Sequence, residues 1–161
     1  MKITALFFGV FAGCLSCIPA HAADYLWNGG NGSWTDSGAW RLDDSSADWS
    51  NGNTAQFQTD SSITVGSGIS ASGMLYNGAA ITLNGGSLTL TGAAAGNNGG
   101  SATLSNTGLI LDAPNAEDSY EVRDTSLTGS ATLAKTGAGT VTLDGAHTAS
   151  GVWNINADRK S

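Results

Sequence analysis

The sequence predicts an all-β fold of short stacked strands, and three observations carry that expectation. Aliphatic triplets centred on threonine recur at Thr64, Thr82, Thr89, Thr103, Thr132 and Thr142. Period-two alternation turns the flanking Ile, Leu, Val or Ala inward and the threonine outward. The triplets also fall into units. Residues 81–92 read ITLNGGSLTLTG, and twenty-one residues later 102–113 read ATLSNTGLILDA. Residues 131–145, ATLAKTGAGTVTLDG, read as the same unit with two residues added in its turn, after a stretched spacing of 29. Such periods belong to solenoids. The third observation is the punctuation. Of 161 residues 23 are glycine, and Gly85, Gly86, Gly92, Gly137, Gly139 and Gly145 sit where a corner must turn.

Taken in order, residues 1–22 read as an export signal. Lys2 supplies a short positive region, residues 3–18 are almost wholly apolar or small, and Ala20-His21-Ala22 is a small-x-small cleavage pattern before Ala23. The apolar run is shorter than the ~20 residues of a spanning helix. A lipobox-like Phe11-Ala12-Gly13-Cys14 offers lipidation at Cys14 as the alternative. Both cysteines, Cys14 and Cys17, depart with the leader, so the mature chain depends on burial and ladder hydrogen bonds rather than on disulfides. Export to the periplasm, cell surface or exterior is expected.

Residues 23–60 differ in kind. They hold four of the five tryptophans (Trp27, Trp34, Trp40 and Trp49) in a stretch that includes WNGGNGSWTDSGAW. A solenoid must hide the open end of its first coil, and large aromatics bury the most area per residue, so this segment predicts an N-terminal cap. Residues 61–161 carry the repeats. Stacked in parallel, equivalent positions lie ~4.8 Å apart, which lines up Leu83, Leu104 and Leu133 in one inner row and Leu90, Leu111 and Leu143 in another. From spacing alone an antiparallel meander competes, because Asn84-Gly85-Gly86 is a fair hairpin signal. Pro114 followed by acids predicts a short helical excursion inside the insertion at 114–124.

The last unit reads LAKTGAGTVTLDGAHTASGVWNIN over 133–156. It resembles the passenger-associated repeat of bacterial autotransporters, with the pattern L-x-K-x-G-x-G-T-L-x-L-x-G-x-x-x-Y-x-G-x-T-x-I-x-x-G. Leu133, Lys135, Gly137, Gly139, Thr140, Val141, Leu143, Gly145, Gly151, Ile155, Asn156 and Ala157 fall in matching places. The opening W-x-G-G-x-G-x-W-x(5)-W, followed by N-G-x-T-A-x-F, resembles the start of exported proteins that carry these repeats. The resemblance implies a right-handed parallel β-helix, a short single-stranded solenoid with an aromatic-rich N-terminal cap. It further implies a passenger segment of the cell outer membrane, adhesin-like in role. No C-terminal β-barrel is read in the chain. Asp158 stands where the pattern has glycine, and the repeats break off incomplete, so a truncated autotransporter is one expectation.

The residues argue against most chemistry. Without the leader, five basic residues face thirteen acidic ones, and the basic ones are scattered, which excludes a nucleic-acid stripe. His147 has no nucleophile motif around it and reads as an exposed loop residue. Asp112 and Asp144 end LILD and VTLD as candidate paired acids, but a strand-ending aspartate ordinarily starts a turn. Residues 29–34 and the acidic run 43–48 miss the calcium patterns they approach. No catalytic residue, metal site or cofactor is therefore assigned. The expected function is non-catalytic, structural or surface-interacting. The alternative is a carbohydrate-binding or polysaccharide-active β-helix that uses Trp27, Trp34, Trp40 and Trp49. The partners expected are a polysaccharide or cell-surface ligand, a membrane only during export or through a missing barrel, and a second copy through an uncapped C-terminal edge.

Overall fold

The computed structural model describes residues 22–155. The leader up to His21, with Cys14, lies outside the described residues, as do Asn156, Ala157 and Asp158. Among the described residues every regular element is a strand. The chain forms β1 (Asp24–Trp27), β2 (Gly32–Ser33), β3 (Trp40–Leu42), β4 (Ser45–Ala47), β5 (Asn53–Phe57) and β6 (Ser61–Thr64). β7 (Ile69–Asn77) is the longest and bends partway. Then come β8 (Ala80–Asn84), β9 (Ser87–Leu90), β10 (Ala94–Asn97), β11 (Ser101–Ser105) and β12 (Gly108–Asp112). The rest are β13 (Ser119–Val122), β14 (Thr125–Thr128), β15 (Thr132–Thr136), β16 (Thr140–Leu143) and β17 (Trp153–Ile155).

These strands stack in parallel, about five turns deep, as a β-solenoid with three faces. Face 1 is the run β2, β6, β8, β11, β14. Face 2 begins with the first half of β7 and continues through β9, β12, β15 and β17. Face 3 holds β1, β5, the second half of β7, β10, β13 and β16. The hairpin alternative fails at Asn84-Gly85-Gly86, because β8 and β9 pair with neighbouring coils and not with each other. That tripeptide is the corner from face 1 to face 2. Gly86 has φ +58°, and a Cβ there would lie 2.0 Å from the Val65 carbonyl oxygen of the coil before.

Alternation places the core as expected, in columns that run along the stack. On face 1, Ile63, Leu83, Leu104 and Leu127 are in register and buried. On face 2 the columns are Ile69, Leu88, Leu109, Leu133, Trp153 and Ala71, Leu90, Leu111, Lys135, Ile155. The expected rows are thus right for Leu83 with Leu104 and for Leu90 with Leu111, and wrong in their third members. Leu133 stacks on Leu109, and Leu143 stacks on Val122.

The error has one source, the strand β14. Residues 131–145 are not a copy of 102–113 displaced by 29. Thr125-Ser126-Leu127-Thr128 takes the face 1 place, 23 residues after β11, and the ATL at 131–133 starts face 2. β14 escapes the aliphatic triplet pattern because Thr125, in the inward column of Ile81 and Ala102, is polar yet 1% exposed. Its hydroxyl donates to the Arg123 carbonyl at 3.0 Å and lies 3.1 Å from the Tyr76 hydroxyl, so a core position accepts a threonine whose polar atom is satisfied.

The helical excursion after Pro114 is not present. A turn stands there instead, in which Asp118 accepts from the Asn115 N–H at 2.8 Å and its own N–H reaches the Asn115 carbonyl at 3.1 Å. β13 then begins directly after Asp118, at Ser119. A carboxylate that holds the turn in this way removes the need for further helical hydrogen bonds.

Candidate functional site

The segment 23–60 is built into the stack rather than set on top of it. β1 and β5 are the first two rungs of face 3. The cap proper is the β3–β4 hairpin, which pairs antiparallel to β1 and covers its outer edge. Its two-residue loop, Asp43 and Asp44, has φ +49° and +62°, the positive-φ pair of a hairpin turn that matches strand twist. Asp44 also meets Arg41 at 3.1 Å. At the start of face 2 the Asn51 side chain substitutes for a strand: its amide donates to the Gly68 carbonyl and its oxygen accepts the Ser70 N–H, both at 3.0 Å.

Beneath the hairpin the four tryptophans meet. Trp40 lies 4.7–5.1 Å, centroid to centroid, from Trp27, Trp34 and Trp49, mostly edge-to-face or tilted. Such geometry sets the positive edge of one ring on the negative face of another. Trp34 and Trp40 are 0% exposed, Trp27 is buried, and Trp49 is half-buried. Nε1 of Trp40 donates to the Trp34 carbonyl at 2.8 Å. Nε1 of Trp27 donates to the Gly30 carbonyl, and Nε1 of Trp49 to Asn51 Oδ1. Nε1 of Trp34 has no acceptor among the described residues. Sugar stacking needs an open ring face. Trp34 and Trp40 offer none, so a carbohydrate contact in this cluster reduces to the outer part of Trp49.

The candidate acids separate. Asp112 ends β12 on face 2 and accepts from the Thr136 hydroxyl at 2.6 Å, whereas Asp144 follows β16 at the end of face 3. Their positions in the repeat are not equivalent. Other carboxylates are engaged by turns: Asp36 accepts from the Ser33 N–H, and Asp48 accepts from the Gly38 N–H and the Ser37 hydroxyl, which holds its pKa below the usual aspartate value. Among the described residues no group of three or more His, Cys, Asp or Glu side chains gathers as metal ligands would.

Two phenols are the most perturbed ionisable groups. Burial pushes the Tyr76 pKa far upward. Tyr120 is pushed up to about 12, first by burial and then by the charges of Asp112 and Asp118. The Tyr120 hydroxyl is within reach of two carbonyls, Leu90 at 2.9 Å and Asp112 at 3.1 Å, and so ties adjacent coils where face 2 meets face 3. Sequence reasoning missed it. The signal was Tyr120 inside a short SYEV strand with no threonine centre.

The outside of face 1 carries two ordered rows of polar side chains. Ser62, Thr82, Thr103 and Ser126 form one outward row, and Thr64, Asn84, Ser105 and Thr128 form a second. Strand spacing puts successive members ~4.8 Å apart along each row, and the rows ~6.7 Å from each other. Neither row contains an ionisable group, although the whole chain carries −7.

His147 departs from its expected place in an exposed loop. Its ring is half-buried against Trp153, 5.5 Å away and edge-on, at the C-terminal end of the stack. Comparison with protein-family models, curated proteins and solved structures finds no match.

Proposed function

We propose that the protein is a non-catalytic, exported structural or surface-interaction segment of the autotransporter passenger type, adhesin-like in role. The observation that supports this reading most directly is the outer surface of face 1. Four successive rungs present uncharged hydroxyl and amide groups in register. A repetitive, rigid, weakly polar array suits contact with an extended or repetitive surface, such as cell-wall polysaccharide, better than capture and turnover of a small substrate. The likeness of the 133–156 unit and of the Trp/Gly opening to exported passenger chains adds the export route.

Two measurements test the reading. Fluorescently labelled protein is mixed with intact cells and with insoluble polysaccharides, beside a variant carrying Thr82→Lys and Thr103→Lys. Binding lost in the variant, with the circular dichroism spectrum unchanged, is the expected result; equal binding by both removes face 1 from the account. The release of reducing ends from pectin-like polymers, abolished by Asp112→Asn, would overturn the non-catalytic assignment.

A further inference from the structure

Six asparagines precede a glycine in this chain: Asn28, Asn31, Asn51, Asn77, Asn84 and Asn98. Asparagine is a thermally labile side chain, and a following glycine favours its loss, because no Cβ obstructs the approach of the glycine nitrogen to the side-chain amide. By sequence the six are equivalent. By fold they are not, since the attack needs a free N–H on the glycine and an amide free to swing toward it.

Five of the six are held. The Asn28 amide donates to the Gly38 carbonyl at 2.6 Å, and Asn31 Oδ1 accepts the Ser62 N–H at 3.0 Å. Asn51 is fixed by both side-chain atoms, and the Gly52 N–H after it donates to the Ser70 carbonyl. Asn77 Oδ1 accepts from Asn97 Nδ2 at 3.2 Å, while the Gly78 N–H donates to the Asn97 carbonyl at 2.7 Å. Asn84 Oδ1 accepts from Asn106 Nδ2 at 3.3 Å, while the Gly85 N–H donates to the Ser105 carbonyl at 3.2 Å. Most of these bonds reach a neighbouring coil, so the stack itself supplies the protection. Asn98 is different. It stands with Gly99 at the tip of the corner from face 3 to face 1, between β10 and β11. Both residues are exposed, and among the described residues neither the Asn98 amide nor the Gly99 N–H has a hydrogen-bond partner. Asn98 has φ +53° and Gly99 +82°, and one bond closes the turn, from the Gly100 N–H to the Asn97 carbonyl at 3.1 Å. Exposed turns with few bonds are where a fold opens most readily.

We infer that Asn98 is a self-modification site, where the corner deamidates through the Gly99 nitrogen ahead of every other Asn-Gly pair. The Gly99 nitrogen gives its proton to a solvent base and bonds to Asn98 Cγ. The Cγ–Nδ2 bond breaks, and the nitrogen leaves as ammonia with a proton returned from solvent. Water then opens the five-membered imide by breaking one of the two carbonyl–nitrogen bonds of the ring. Breaking at Cγ gives aspartate; breaking at the main-chain carbonyl gives isoaspartate, whose backbone runs through Cβ and Cγ. Either product adds a negative charge beside β11 to a chain of −7. Isoaspartate also lengthens a corner that has no slack on its inner side, where a Cβ on Gly100 would run into the Tyr76 carbonyl.

The purified full chain is incubated in mildly alkaline buffer made with water enriched in heavy oxygen, then digested at intervals for mass spectrometry with fragmentation to place the label. A parallel sample is held unfolded in urea. In the folded protein Asn98 is expected to take up label at least roughly tenfold faster than the other five, since each of those must first break its hydrogen bonds. In urea the six rates are expected to converge, and Asn98→Ser abolishes labelling at that position alone. A different Asn-Gly pair leading in the folded protein overturns the inference, as does a folded chain in which Asn98 converts no faster than the rest. So does a folded protein without label at Asn98 while the urea sample acquires it, because the turn would then protect the site.

Discussion

Trp34 and Trp40 are both fully buried in the same cluster, and the structure separates them by one hydrogen bond. Replacing either indole by phenylalanine removes similar apolar volume, at a cost of about 1 kcal/mol in transfer and cavity terms. The polar terms then have opposite signs. Trp40→Phe removes the 2.8 Å bond to the Trp34 carbonyl and leaves that buried oxygen without its donor, adding about 1–3 kcal/mol. Trp34→Phe deletes an N–H that has no acceptor among the described residues, which returns about 1–3 kcal/mol of desolvation cost. The expected order is therefore wild type close to Trp34→Phe, with Trp40→Phe lower by about 2–4 kcal/mol. Urea unfolding followed by far-UV circular dichroism measures this, provided that the denaturant slopes agree among the three proteins. Equal destabilisation by the two substitutions would refute the reasoning, because volume alone would then explain both.

Three further outcomes follow from the stack. Gly86→Ala is expected to destabilise by well over ~2 kcal/mol, since a Cβ would meet the Val65 oxygen at 2.0 Å. Its neighbour Gly85→Ala, also at positive φ but with open space around it, costs only ~1–2 kcal/mol, and thermal melts of the pair distinguish crowding from φ strain. Leu109→Ala, at 1% exposure in the middle of the face 2 column, is expected to cost about 2–5 kcal/mol in chemical denaturation, whereas Val152→Ala at the exposed end stays near ~0.5 kcal/mol. Alkaline pH is expected to unfold the protein through its buried phenols. A phenol raised from 10 to about 12 contributes stability that is complete below pH 10 and is lost as pH rises to about 12, so a pH titration of stability should fall in that window and fall less steeply in Tyr120→Phe. Burial moves Tyr76 in the same direction, so Tyr76→Phe flattens the fall further.

The legible part of the fold was its alternation. Inward Leu83, Leu104, Leu90 and Leu111 and outward Thr82, Thr89 and Thr103 were readable because a two-residue period leaves little choice once one face is buried. Parallel pairing was not readable from spacing, since Asn84-Gly85-Gly86 turns a solenoid corner with the same glycines that would turn a hairpin. Thr125 concealed β14 by putting a hydroxyl where the pattern expects an aliphatic side chain, and its contacts with the Arg123 carbonyl and the Tyr76 hydroxyl make that tolerable. The aromatic cluster was legible as burial-prone, but its antiparallel hairpin was not, because Asp43-Asp44 is a weak hairpin signal beside Asn-Gly. The separation of Asp112 from Asp144 depended on the missed strand: with β14 uncounted, one acid moves to the wrong face.

The stack keeps count of rungs, not of residues. Successive partners on face 3 are 30 residues apart at Tyr25 and Ala55, 20 at Met74 and Ala94, and 28 at Ala94 and Val122, yet the inward column continues through all of them. The surplus chain is accommodated outside, as the hairpin of the first coil and as the Pro114–Asp118 turn between faces 2 and 3. Corners therefore act as tolerant insertion points: sequence can be gained or lost there without re-registering a face, as loop closure grows only slowly more costly with length. A lineage carrying this scaffold is free to vary what it displays at its edges while the interior stays the same.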